Sequence, residues 1–277
     1  MKFNRPEKVG AKDYPLAFFY LPYTKILSMC NFMGVRVTKS QFIRLKQIER
    51  ELGTLAALEV LKSGFAYSDS PVIVKAGDEF EIENMHWEFI PPWIKNMTEL
   101  QAARKQGIPW LNARSETIME SRMFGDAARK RRCLVIASHF FEWRHYKPDG
   151  AKKDIAYPYL VTVNDAEYFF MAGIWQPWTD RETGETINTF AIVTTAANEF
   201  MSVIHNSKKR QPTILTEALA WQWINPQLTE GQIKQIASYQ LSSENFMAHT
   251  IAKDFKTSPD PLAQFDYPEL PPLDIAI

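Results

Sequence analysis

From Thr38 the chain repeats apolar residues at helical spacing. Phe42, Leu45, Ile48, Leu52 and Leu55 recur three to four positions apart and form one apolar face. Thr38 and Gln41 stand at capping-box spacing before it. Thr98 and Gln101 repeat that spacing, with Gly107 as a stop signal, and Thr229 with Gln232 repeats it near the end. Between these helices the pattern changes to short apolar runs that predict strands: Cys133-Leu-Val-Ile-Ala137, Tyr159-Leu-Val-Thr-Val163, Tyr168-Phe-Phe-Met171 and Phe190-Ala-Ile-Val-Thr194. Polar stretches, Lys147-Pro-Asp-Gly150 and Thr179-Asp-Arg-Glu-Thr-Gly184, separate neighbouring strands in the manner of hairpin loops. Strand–loop–strand order without alternating helices predicts an α+β fold rather than a doubly wound sheet.

No shift in composition divides the middle of the chain, so one domain is expected over residues 29–255. Residues 1–28 read differently. Lys2, Arg5, Lys8 and Lys12 precede the apolar stretch Leu16-Ala-Phe-Phe-Tyr-Leu21, which Pro22 and Lys25 interrupt. A signal peptide has a charged start and an apolar middle, and Leu27-Ser-Met-Cys30 resembles a lipoprotein cleavage box, although Met29 stands where a small residue belongs. The simpler expectation is that Met29 is the true start and residues 1–28 are a leader or a mis-called extension. Residues 256–277 hold five prolines and read as an extended tail.

Composition narrows the function classes. Hydrophobic residues at 45% supply a packed core and exclude wholesale disorder. Lys plus Arg total 32 against 32 Asp plus Glu, so nucleic acid or an anionic membrane would have to be held by a local patch. With only Cys30 and Cys133, a disulfide scaffold and a four-cysteine zinc site are excluded. No apolar run reaches the roughly 20 residues of a membrane helix. No ligand spacing connects the five histidines, so neither a metal nor a cofactor is expected.

Cys133, inside an apolar strand, reads as a small buried hydrophobe. Cys30 differs because it follows a methionine. If that methionine starts the chain and is removed, an α-amine and a thiol sit on adjacent carbons. The amine, with an ordinary pKa of about 7.7–8.0, is partly neutral at physiological pH. It can add to an aldehyde and lose water to give an imine, on which the thiolate closes a five-membered thiazolidine. An amide nitrogen cannot react in this way.

Asn112-Ala-Arg-Ser-Glu-Thr117 combines an amide, a guanidinium and a carboxylate. It fits a capped helix start, and Arg114 equally fits a bidentate phosphate clamp. Glu142, flanked by Phe141 and Trp143, is either a solvent-facing residue on a one-sided sheet or a desolvated general acid. His205, in Val203-Ile-His-Asn206, is either a satisfied structural histidine or a proton shuttle. The clusters Arg129-Lys-Arg-Arg132 and Lys208-Lys-Arg210 are solvated faces or, with Trp87, Trp93, Trp110 and Trp143, parts of a phosphate-tracking groove.

Taken in order, these pieces resemble the SRAP family, the SOS-response-associated peptidase or abasic-site processing proteins. The matching pieces are Met29-Cys30, Trp87-Glu-Phe-Ile-Pro-Pro-Trp93, Asn112-Ala-Arg-Ser-Glu-Thr117, Arg131-Arg-Cys-Leu-Val-Ile-Ala137 through Phe141-Glu-Trp143, Ala172-Gly-Ile-Trp175, Phe190-Ala-Ile-Val-Thr-Thr195, and Ile204-His-Asn206 with Arg210-Gln-Pro-Thr-Ile-Leu215. The resemblance implies helices flanking a mixed, mostly antiparallel, barrel-like β core. It implies a protein that links covalently to the aldehyde of an abasic site in single-stranded DNA, with peptidase or lyase-like activity. Cys30 would be the nucleophile, Asn112 would hold the N-terminal residue, Glu142 would act as general acid–base, and His205 would assist proton transfer and reversal. Arg114 and Arg210 would contact DNA, and Trp93 would pack where the base is missing. A cytoplasmic, nucleoid-associated monomer is the corresponding expectation, and a non-catalytic DNA-binding descendant is the alternative.

The pattern departs from the family in places. The usual Cys-Gly-Arg start is Cys30-Asn31-Phe32, which removes one phosphate contact, and Ser68-Asp-Ser-Pro71 stands near the place of an Asn-Val-Ala-Pro segment. An insert, Ser207-Lys-Lys209, separates Asn206 from Arg210.

Overall fold

The computed structural model describes residues 31–34 and 61–273. Cys30, the leader 1–28 and the helix expected from Thr38 lie outside the described residues. The described elements run β1 (Phe32–Gly34), β2 (Lys62–Ser63), β3 (Asp69–Ala76), β4 (Glu79–Trp87), α1 (Met97–Lys105), β5 (Asn112–Arg114), α2 (Gly125–Lys130), β6 (Arg132–Ala137), β7 (His139–Tyr146), β8 (Ile155–Val163), β9 (Phe169–Thr179), β10 (Thr186–Ala196), α3 (Glu199–Ile204), β11 (Arg210–Pro212), β12 (Ile214–Leu215), α4 (Glu217–Trp223), α5 (Glu230–Ala237) and β13 (Phe246–Thr250).

The α+β class and barrel-like core expected from the sequence are the observed architecture. One sheet follows the order β10-β4-β3-β6-β9, and β9 pairs again with β10, closing a five-stranded ring. Closure leaves no free sheet edge within the ring. Only the β10–β4 pairing of that ring is parallel. A second antiparallel sheet has the order β13-β8-β7-β1-β2. The two polar loops read as hairpin connections do join antiparallel neighbours, β7 with β8 and β9 with β10.

Strand alternation divides the ring's side chains between two cores. Ile73, Leu134, Ile136, Ile174 and Val193 pack with Ala128, Trp223, Ile233 and Ile236 from the helices. Their neighbours Val72, Val135, Met171 and Ile192 pack with Phe140, Tyr159 and Val161 of the second sheet and with Met201 and Ile204 of α3. Helix ends are specified by side chains. Thr229 and Gln232 form the expected capping box on α5. For α1 the cap is not Thr98 but Asn96, whose Oδ1 accepts from the Glu99 amide at 2.8 Å. Met97 N–H is taken by Asp180 at 2.8 Å, which fixes the start two residues earlier than the sequence spacing suggests. Gly107, at φ +74°, provides the stop.

The Pro-rich end lies against the second sheet. Tyr157 O–H donates to Glu269 at 3.0 Å, Tyr267 O–H donates to the Ile251 carbonyl at 2.9 Å, and Arg144 Nη1 donates to the Pro271 carbonyl at 2.7 Å. Burial and the neighbouring carboxylate push the Tyr157 phenol up to about 12.

Gly173 of β9 sits in close packing within the ring. A Cβ there would stand 2.7 Å from Cys133 Sγ and 3.0 Å from Val135 Cγ2. Gly173→Ala is therefore expected to destabilise the fold by about 1–3 kcal/mol, with Cys133→Ala in the same chain recovering part of the loss. A urea melt reads this, and an unchanged midpoint would contradict the packing.

Candidate active site

Glu142 lies in the middle of β7, across from Tyr159 of β8. Its side chain is only 3% exposed, so the solvent-facing alternative does not hold. The even positions of β7 face the core beneath α3, and Phe140 on that face packs with Met201 and Ile204. α3 is itself fixed by Asn198, whose Oδ1 accepts from the Met201 amide at 2.8 Å while its Nδ2 donates to the Leu241 carbonyl at 2.7 Å.

His205 terminates α3 and reaches Glu142, with Nε2 4.0 Å from Oε2. Its Nδ1 lies 3.1 Å from the Arg210 carbonyl. A carbonyl only accepts, so Nδ1 carries the proton and Nε2 of the neutral ring faces the carboxylate. Burial lowers the His205 pKa. The hydrogen bond to the Arg210 carbonyl opposes that shift, and the nearby Lys208 and Arg210 charges add to it. The ring is thus neutral at neutral pH, with a basic nitrogen toward a buried acid.

Asn206 holds this arrangement together, and its role is not visible in the sequence. Its Oδ1 accepts from the His145 amide at 2.9 Å and its Nδ2 donates to the His145 carbonyl at 2.7 Å. The amide clips the end of α3 onto β7, three residues beyond Glu142.

Asn112-Ala-Arg114 is a strand, not a helix start. It runs parallel to β10, with Asn112 beside Ile192 and Arg114 beside Thr194. Ala113 is buried in the core, Asn112 is half-buried and Arg114 is exposed. Arg114 and Glu142 both act electrostatically on Lys208, which places these charges around one region. Arg210 turns inward: Nη1 pairs with Glu116, and Nη2 donates to the Thr194 carbonyl at 2.7 Å. Burial raises the Glu116 pKa, but the Arg210 hydrogen bond, a backbone hydrogen bond and the Arg210 and Arg114 charges together outweigh it, and the carboxyl titrates below its usual range.

Trp93 stands on the loop after β4 and is 54% exposed. The loop beneath it is held by Glu88, fully buried against Arg104 Nη2 at 2.5 Å, by Gln176 donating to the Ile90 carbonyl at 2.5 Å, and by Trp178 donating to the Ile94 carbonyl at 2.7 Å. Trp87, by contrast, is a core residue stacked on Phe190. The basic run at 129–132 is structural. Arg129 pairs with Glu230, and Lys130 and Arg131 pair with Asp126. Arg132 donates to the carbonyls of Ala128, Arg129, Trp223 and Asn225 at the ends of α2 and α4, and burial brings its guanidinium down to about 10.

Asn31, the residue after Cys30, is described and buried, with its carbonyl accepting from Gly64 N–H at 2.7 Å. β1 pairs Met33 with Phe140 and Gly34 with His139. Continued by two residues, that register carries position 31 to Glu142. Among the described residues no group of three or more His, Cys, Asp or Glu is arranged to hold a metal ion, and no helix is long and apolar enough to cross a membrane.

A family model described as SOS response associated peptidase (SRAP) matches residues 42–258. The abasic site processing protein YoqW of Bacillus subtilis is 29% identical over 180 residues, covering 65% of this chain and 73% of that protein. The abasic site processing protein YedK of Escherichia coli is 26% identical over 229 residues, covering 81% and 93%. A crystal structure of a Bacteroides thetaiotaomicron protein superposes with a TM-score of 0.73 at 29% identity, covering 85% of this chain and all of that one.

The depressed His205 pKa has a consequence for stability. Above 6.5 the ring is neutral both folded and unfolded, so the full stability is present. As pH falls below 6.5 the unfolded chain takes up the proton first, and stability declines until the folded pKa is passed. Urea melts between pH 7 and 5 should show this decline, and His205→Gln should flatten it; equal slopes in the two proteins would contradict the burial of a neutral ring.

Proposed function

The chain belongs to the SOS response associated peptidase family, and from that membership we propose that it processes abasic sites in single-stranded DNA through a covalent link to Cys30. In its working form Cys30 is the first residue, exposed either by a start at Met29 or by self-processing of the leader. The α-amine attacks C1′ of the ring-opened sugar. The carbinolamine loses water as Glu142 donates a proton to the departing hydroxyl, and the thiolate then closes on the imine carbon to form a thiazolidine. His205 Nε2 exchanges protons with Glu142 and assists reversal. Asn112 holds the N-terminal residue.

An abasic nucleotide has no base edge to read. It offers an aldehyde, a gap in the stack, and phosphates. Arg114 takes a phosphate, and the exposed Trp93 packs where the base is missing. Arg210, expected from the sequence to touch DNA, has both Nη groups engaged by Glu116 and Thr194. We assign it to fixing His205 through its carbonyl rather than to a phosphate. The covalent bond makes a zero net charge tolerable. The protein acts as a monomer in the cytoplasm, associated with the nucleoid.

One observation carries this reading: a buried carboxylate beside a neutral imidazole of defined orientation, on the strand that pairs with β1. A chain starting at Met29, incubated with an abasic single-stranded oligonucleotide, is expected to give a band that survives a denaturing gel. Cys30→Ala should remove it, and Glu142→Gln should slow its formation by roughly 10²–10⁴-fold. Undiminished adduct from Cys30→Ala, or a chain in its native cells that keeps residue 30 acylated, would overturn the proposal. Separately, Arg114→Ala should weaken binding across sequences alike and reduce the slope of log K against log salt by about 0.7, the increment for one phosphate on a single strand; an unchanged slope would remove Arg114 from the interface.

A further inference from the structure

The Pro-rich end of the chain rests one row of side chains away from Glu142. On β7 the side chains of Phe140, Glu142 and Arg144 share a face, with Glu142 opposite Tyr159 and Arg144 opposite Tyr157 on β8. Successive rows on one face of a strand are about 7 Å apart. The Arg144–Tyr157 row holds the tail. Arg144 Nη1 donates to the Pro271 carbonyl at 2.7 Å and, more weakly, to the Pro272 carbonyl at 3.4 Å. Tyr157 O–H donates to Glu269 at 3.0 Å. The same Nη1 lies 3.5 Å from the Tyr159 hydroxyl, so one guanidinium touches both the tail and the tyrosine opposite Glu142.

The tail is seated by a few further contacts. Tyr267 packs edge-on against Tyr157, with ring centroids 4.9 Å apart, and Lys253 Nζ lies 4.7 Å and 5.3 Å from the centres of these two rings. Leu270 N–H donates to the Tyr267 carbonyl at 2.9 Å, and Leu270 and Leu273 pack, half-buried, against the core between the two sheets. Pro271 and Pro272 lack an amide hydrogen, so this stretch cannot zip onto the sheet as a further strand, and side chains alone hold it. Its charge has one sign. From Pro259 to Ile277 the chain carries Asp260, Asp266, Glu269 and Asp274 and no lysine or arginine.

We propose that this acidic end is a strap that competes with single-stranded DNA: it occupies the Arg144 guanidinium, and a phosphate entering beside Glu142 takes Arg144 only once residues 269–273 have lifted. This rests on the reading of the site as a receptor for single-stranded DNA. The tail offers the protein what a nucleic-acid backbone offers, oxygen acceptors and negative charge. A phosphate takes a guanidinium through two parallel N–H donors, whereas the tail's bonds to Arg144 all come from Nη1. The phosphate is thus the stronger partner, and the tail the nearer one, because its tether gives it a high effective concentration. Affinity for DNA is then set in part by the cost of lifting the strap, and the small seat makes that step reversible.

Shortening the chain tests the strap. A chain ending at Pro268 loses Glu269 and Pro271 but keeps Tyr267, whose hydroxyl donates to the Ile251 carbonyl. Binding of an undamaged single-stranded oligonucleotide is measured for the full and shortened chains, each with and without Arg144→Ala, after a urea melt has checked the fold. The shortened chain is expected to bind roughly tenfold tighter, the worth of about one hydrogen bond to a charged group. Its slope of log K against log salt should steepen by about 0.7. Arg144→Ala should remove most of the difference, because neither length then has the guanidinium to offer. Equal affinity at the two lengths, or a difference that Arg144→Ala leaves standing, overturns the strap. If the shortened chain does not fold, hydrogen exchange in the full chain decides: saturating oligonucleotide should speed exchange at the Leu270 amide, and unchanged or slower exchange overturns the proposal. A chain starting at Met29 that fails these tests yet still cross-links to an abasic oligonucleotide leaves the proposed function standing. If it neither binds the undamaged strand nor cross-links, both fall.

Discussion

The amide of Asn206 joins two pieces of chain that have no local reason to meet. One end accepts from, and the other donates to, the backbone of His145, 61 residues away. The clip ties the end of α3 to the strand that carries Glu142. His205 comes immediately before Asn206, so its ring is carried to the carboxylate. Without the clip, α3 would still pack through Phe200, Met201 and Ile204, but an apolar contact is non-directional and would not set a ring nitrogen 4.0 Å from a carboxylate oxygen.

The same division between packing and direction recurs around Trp93. Its indole is exposed, yet the chain beneath it is anchored by a fully buried Glu88 against Arg104, with His86 3.2 Å from the same guanidinium. A buried ion pair is a poor source of net stability, since desolvation offsets most of the attraction. Removing one partner is costly, however, because it strands the other charge. Such a pair is better understood as a device that allows one loop conformation, here the one that presents an aromatic ring to solvent.

Charge is distributed with equal selectivity. A chain with no net charge has no long-range field to draw in a polyanion, so the placement of individual cations decides the matter. Arg132 closes the carbonyl ends of two helices, its neighbours pair with Asp126 and Glu230, and Arg210 is locked on Glu116 and Thr194. Lys208, in the turn after α3, feels both the Arg114 and the Glu142 charge. Beside the buried Glu142 carboxylate, the neutral His205 ring gives a proton a second site.

Much of this was legible in the residues themselves. Apolar runs such as Cys133-Leu-Val-Ile-Ala137 become strands because their pattern already suits a sheet buried on both faces. Lys147-Pro-Asp-Gly150 becomes a hairpin because its residues favour a turn, and Thr229 with Gln232 caps a helix through contacts only three positions apart. The ordered motifs singled out Glu142 and His205, which the structure brings to within 4.0 Å of each other. What the chain could not disclose are the choices made by distant partners. Asn112-Ala-Arg114 has the letters of a helix cap and is a strand because its hydrogen bonds go to β10. Thr98 loses the cap of α1 to Asn96 because Asp180, far along the chain, takes the Met97 amide. Whether Glu142 faces water or the core, whether Arg210 turns in or out, and what Asn206 holds are each decided by a residue tens of positions away. Local sequence sets local geometry. The direction in which a polar side chain points is set by whichever donor or acceptor the closed ring brings beside it, and that is known only once the ring has closed.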